Sequence, residues 1–270
     1  MADRLTTQAE GLSEQQNWTA AANEWKRAAE QHGLLNDLPQ QAVALHNAGQ
    51  AELEQAHYEE ALHLFEKAAE LNQKGGRNTE WWRNQIGLLQ AAVALTNRSD
   101  DLGTKFEDLT AKAKDLKEPL INALFLNELG LWQRRQKSAD QADASFQQAE
   151  QSFTQAQNPT GVAVAVANRA LLAEDVGKFA AAEDLWRNAL SRFERVSDPP
   201  GIARALTGLG RSLFRQNKSL ADAEDFLRRA AENFGVLKKE PEKKAALLVL
   251  EDCLRAEGKA PTSGAEQKSK

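Results

Sequence analysis

The chain of 270 residues has a single cysteine, Cys253, so no disulfide can form within it. It has no run near the roughly 20 apolar residues that cross a bilayer as a helix, so direct membrane insertion of that kind is excluded. Met1-Ala2-Asp3-Arg4 leads straight into an amphipathic pattern in place of a signal peptide. The expected compartment is therefore the cytoplasm, with an exported protein whose signal was removed as the alternative. Basic residues are not in excess: 34 Lys and Arg stand against 39 Asp and Glu, a net charge of -5. With no interleaving of arginine and aromatics either, nucleic acid is disfavoured as a partner. Turn clusters between short apolar runs, which a sheet protein needs, are scarce.

The motifs of catalysis are missing as well. There is no phosphate loop, no His-Glu-x-x-His, no cysteine pair and no Gly-x-Ser-x-Gly. Thr207-Gly208-Leu209-Gly210 follows no strand and reads as close helix packing. His57 and His63 are six residues apart, on different sides of a helix, and no cysteine accompanies them or His32 and His46. The acidic pairs Glu59-Glu60 and Glu183-Asp184 fall on the solvent side of their helices, where nothing raises a carboxylate pKa. No enzyme, no metal and no cofactor is expected.

What is present is a repeat. A small residue, an apolar residue four further on and a small residue three beyond that recur as Ala21/Trp25/Ala28, Ala61/Phe65/Ala68, Ala142/Phe146/Ala149 and Ala182/Trp186/Ala189. Leu102/Phe106/Leu109 and Ala223/Leu227/Ala230 are looser copies, so the period is 40 or 41 residues. Such regularity predicts a stacked array. The spacing within each triplet is that of one face of a helix. Pro39, Pro119, Pro159, Pro199-Pro200 and Pro241 keep the same interval, with Thr79 where one is absent, and proline suits a first helical turn.

The reading is all-α: an α-solenoid of about six helix-turn-helix units and a C-terminal capping helix, in a single domain 1-257. The units are about 4-38, 39-78, 79-118, 119-158, 159-199 and 200-240; the cap is 241-257, and a disordered tail 258-270 follows. In each unit helix B carries the triplet and helix A precedes it. Gly33 and Gly75-Gly76 are expected to end helices B, and Asn97-Arg98-Ser99 to form the turn of the third unit. Alanine lets the helices approach and the aromatic fills the gap between units. Gly49, Gly130 and Gly210 are the matching small residues of helices A. Charge is unevenly spread: residues 1–110 hold 9 basic and 17 acidic side chains, the remainder 25 and 22.

Leu45, Ala48-Gly49, Tyr58, Ala61, Phe65 and Ala68 together resemble the tetratricopeptide repeat. So do Leu126, Leu129-Gly130, Ala142, Phe146 and Ala149, and Gly177-Lys178-Phe179 with Ala182, Trp186 and Ala189. The usual repeat of that family is about 34 residues. The longer period here resembles its long-helix members, such as kinesin light chains, Pins-type adaptors and bacterial peptide-sensing regulators. HEAT and armadillo repeats have a similar period but lack the alanine-aromatic-alanine signature. The resemblance implies a right-handed superhelix whose inner groove, lined by helices A, binds a peptide or a partner protein.

Aligning helices A puts His46, Gln50, Trp81, Asn84, Asn127, Leu131, Arg134, Arg135, Arg204, Arg211 and Arg215 forward as partner-binding candidates. Arg204, Arg211 and Arg215 form a basic stripe suited to an acidic peptide, because guanidinium grips carboxylate with two hydrogen bonds. Adjacent Trp81 and Trp82 point about 100 degrees apart on a helix, so either both are packed, with the helix covered on two sides, or one indole faces a partner. The expected function is a non-catalytic scaffold or adaptor. Alternatives are self-assembly into a homo-oligomer, and a peptide-sensing regulator lacking its effector module.

Overall fold

The computed structural model describes residues 1–95 and 99–259. Among the described residues there are thirteen helices and no strand. They are α1 (Ala2–Glu14), α2 (Trp18–Leu34), α3 (Leu38–Glu54), α4 (Tyr58–Lys74), α5 (Asn78–Ala94), α6 (Ser99–Ala113), α7 (Pro119–Arg135), α8 (Ala139–Gln155), α9 (Pro159–Asp175), α10 (Phe179–Arg195), α11 (Pro199–Arg215), α12 (Leu220–Val236) and α13 (Glu240–Ala256). All but α1 and α6 are 17 residues long, and links of three residues between most of them produce the 40-residue period. Helices A are the odd-numbered ones and helices B the even. The α11–α12 link, residues 216–219, is one residue longer and carries a second left-handed residue, Ser219, at φ 45°.

Prolines open α7, α9 and α11 and sit second in α3 and α13, where no backbone N–H is needed. Side chains cap several helices A: Asp37 accepts from the Gln40 N–H, Asn158 from Gly161 and Asp198 from Gly201. The links follow one pattern. After α3 the Ala56 N–H donates to the Leu53 carbonyl and the His57 N–H to the Glu52 carbonyl, with Ala56 at φ 59°. That is the Schellman closure, which favours glycine at the left-handed position. Gly76 and Gly177 fill it in two links, but Gln16, Asn36, Ala56, Lys137, Gln157, Ser197, Asn217 and Lys238 fill it elsewhere. Gly33, expected to end α2, lies inside it, and Asn36 makes the turn. Ser99 is helical, whereas Asn97 and Arg98 lie outside the described residues. Replacing Ala56 with glycine relieves the strained φ and should raise stability by about 0.5–1 kcal/mol, read from urea denaturation.

Two compact units divide the chain, Met1–Glu128 and the residues from Leu129 on. In the first, Leu5, Ala9, Trp25, Ala28, Ala44, Ala48, Leu64 and Ala68 form one core across α1 to α4, and Phe65 with Leu88 and Ala91 forms another. In the second, Ala163, Val166, Ala170, Trp186, Ala189, Phe193, Ala205 and Leu209 join α9, α10 and α11. Helix α13 packs on α12 through Leu227, Leu250, Cys253 and Leu254. Lys259, just beyond it, bonds Glu224 at 2.7 Å; the rest of the tail, from 260, lies outside the described residues.

Candidate partner-binding site

Helices A are held in place by the aromatic of each triplet. Phe65 is fully buried between two glycines: a Cβ added at Gly49 would come within 2.8 Å of its ring, and one at Gly87 within 2.7 Å. Phe146 presses on Gly130 in the same way, and Trp186 on Gly208. Where the aromatic is tryptophan, the indole N–H needs an acceptor. It finds one twelve residues back on its own helix A: Trp25 donates to Ser13 Oγ (3.1 Å) and Trp186 to Glu174 Oε1 (2.7 Å). In the Phe65 unit the residue twelve back is Leu53.

In the first unit His46 and Asn84 meet. The His46 ring packs tilted on Phe65, with centroids 5.4 Å apart, and its Nδ1 lies 2.8 Å from Asn84 Oδ1. Burial lowers the His46 pKa, the Asn84 bond opposes this, and the charge of Arg83 adds to it. The imidazole is thus neutral at pH 7 and its Nδ1–H donates to Asn84. Asn84 is buried, and among the described residues its Nδ2 has no hydrogen-bond partner. Gln50 is half-buried. Asn127 is buried and donates to Glu128 Oε1 at 3.3 Å.

Glu128 was not singled out from the sequence. It too is buried, and burial raises its pKa to about 7 against the hydrogen bonds from Gln90 and Asn127. Trp82 is the buried member of the indole pair and Trp81 the half-exposed one; their rings meet edge to face, 5.3 Å apart at 79°. Trp81 stands apart from His46 and Asn84 in chemistry, facing Lys112 at 5.6 Å near the end of α6.

In the second unit the five candidate arginines differ in what they touch. Arg211 Nε bonds Glu174 Oε2 at 2.7 Å, and the same carboxylate accepts from Ser212 Oγ and from Trp186. Glu174 therefore ties α9, α10 and α11 together. Arg134 forks onto Asp175 with bonds of 2.5 and 3.2 Å. Arg204 is half-buried over the Phe193 ring at 5.6 Å, and its Nε has no hydrogen-bond partner. Burial lowers its pKa and Asp198 opposes the shift, but a guanidinium remains charged. Arg215 is exposed, over Phe179 at 5.7 Å. Arg135 is exposed and Leu131 half-buried.

One expectation about the acidic pairs is corrected. Glu59 and Glu60 are exposed, but Glu183 is buried. Burial resists its ionisation, yet bonds from Arg187, Gln216 and Lys218 outweigh that and hold its pKa at about 2. A side chain that a single helix leaves on the solvent side is here covered by the following helix and link.

The fold and this arrangement of helices A and B define a class, the helical-repeat proteins. Within it, residues 161–234, spanning α9 to α12, match the model of the tetratricopeptide repeat. No curated protein sequence matches the chain. Among solved structures it is similar to the apo form of the quorum sensor NprR from B. thuringiensis, at 12% identity over 94% of this chain and 70% of that one, with a TM-score of 0.74. A Rap protein complexed with Competence and Sporulation Factor is similar at 17% identity, over 92% of this chain and 73% of that one, with a TM-score of 0.65. A signal-transduction ATPase with a tetratricopeptide-repeat sensor from Pyrococcus horikoshii is similar at 14% identity and a TM-score of 0.66, over 93% of this chain and 38% of that one. At these identities the likeness is one of fold. Among the described residues, no helix is long and apolar enough to cross a membrane and no cluster of His, Cys, Asp and Glu could hold a metal ion.

Proposed function

We propose that the chain is a non-catalytic scaffold whose helices A bind an extended peptide or a segment of a partner protein. One observation carries the reading: in the second unit Arg204 Nε, on a helix A among the candidates of the basic stripe, is a buried donor with no hydrogen-bond partner among the described residues. An unmet buried donor costs about 1–3 kcal/mol, and a peptide carbonyl or carboxylate that accepts from it recovers that cost on binding. Arg204 and Arg215 suit an acidic side chain, since neither pairs with a carboxylate among the described residues, whereas Arg211 and Arg134 are already engaged. Similarity to a Rap protein solved with Competence and Sporulation Factor supports a peptide as the occupant.

Panning a random peptide library against the protein tests this. Binders are expected, enriched in Asp and Glu. The pair Arg204→Gln with Arg215→Gln should abolish the acidic enrichment and weaken a selected peptide about 5- to 30-fold. A library that yields no binder, or binders indifferent to that double variant, sinks the reading.

A further inference from the structure

The first unit contains a cavity of about 450 Å³ where the end of α4, the start of α5 and the end of α6 come together. That volume is in the range of small-molecule sites. Trp82 is buried and held edge to face by Phe125 at 5.6 Å, so its ring is a rigid apolar surface. Trp81 stands nearly at right angles to it, and Leu116 adds to the lining. Such a corner takes a flat ring.

The charged lining consists of Arg77, Lys112 and Asp115, a net charge of +1. Arg77 is anchored without being neutralised. Its Nε donates to Asn72 Oδ1 at 2.8 Å and its Nη2 to the Leu71 carbonyl at 3.2 Å, and it makes no ion pair among the described residues. Lys112 pairs with Asp108 at 2.5 Å, but both side chains are more than half exposed, so the pair is weak and readily exchanged. Arg77 also occupies the N-cap of α5, where three other helices A have Asp or Asn, and no side chain caps α5. The first-turn N–H groups beside the cavity therefore favour negative charge.

We propose that this cavity binds a small organic anion carrying a flat apolar ring, the anion between Arg77 and Lys112 and the ring against Trp81 and Trp82. The test titrates the full chain with 3-phenylpropionate, following tryptophan fluorescence and calorimetry, with 3-phenylpropanol as the neutral comparator. Saturable binding with a Kd on the order of 1 mM or tighter is expected for a ligand of this size. The alcohol should bind at least about 5-fold more weakly, and Arg77→Gln and Lys112→Gln should each cost the anion a similar factor. Trp81→Ala should remove binding while leaving the helical circular dichroism unchanged. Asp115→Asn removes the one negative charge in the lining and should tighten binding about 2-fold, a gain that damage to the fold cannot mimic. Absence of saturation, equal affinity for the alcohol, or weaker binding by Asp115→Asn overturns the proposal.

Discussion

Glu174→Ala is expected to destabilise the second unit by about 2–4 kcal/mol, the cost of leaving two buried donors without an acceptor. The Glu174 carboxylate accepts from Trp186, Ser212 and Arg211, so its loss leaves a buried indole N–H and a buried hydroxyl without acceptors at once. Trp186 is fully buried and cannot turn to water. Urea denaturation followed by tryptophan fluorescence gives the measurement. The Phe65 unit shows the way to compensate, because the same two positions there hold Leu53 and Phe65. Glu174→Leu combined with Trp186→Phe should therefore cost less than Glu174→Ala, since the indole N–H leaves with its acceptor and only Ser212 and Arg211 lose theirs. A double variant less stable than Glu174→Ala refutes this account of the joint.

Glu128 yields the second large effect, on pH dependence. Burial raises its pKa from 4.5 to about 7, so the folded chain holds a proton that the unfolded chain has released across that window. Where the folded state binds more protons, stability falls as pH rises. The contribution is intact below about pH 4.5 and fully lost above about pH 7, a difference on the order of 3 kcal/mol. Glu128→Gln removes the titration and keeps an amide that can still accept from Gln90. It should match the wild type near pH 4.5 and exceed it by up to about 3 kcal/mol at pH 8, or some 6–12 °C in Tm. Thermal melts of both proteins across pH 4.5–8 decide it; parallel curves would mean that Glu128 is ionised in the fold.

These two residues mark where sequence reading stopped. The repeat, the helices and their phase were legible because alanine, an aromatic and alanine recur at helical spacing, and because prolines mark the first turns. The Trp81-Trp82 pair was open between two readings, both indoles packed or one facing a partner, and the structure buries Trp82 and leaves Trp81 half-exposed. The links were not legible: Gln16, Ala56, Lys137 and Lys238 adopt left-handed backbone with no glycine to announce it. Their conformation is imposed by the two helices they join. The candidate stripe was readable as a set of positions, but not which of its arginines are spent. Arg211 and Arg204 are both arginines on the same helix; the first reaches Glu174 and the second lies over the Phe193 ring with no ion pair among the described residues.

The sequence by itself determined an all-helical chain of helix pairs at a 40-residue period, since amphipathic spacing and proline placement act locally along the chain. Only the tertiary structure decided which polar groups are buried and what they meet. Glu183 changed from a solvent-side carboxylate to a clamped one, and Asn84 and Arg204 were left with donors unmet. Burial and pairing are properties of neighbouring helices brought together, and no single helix carries the distances that set them.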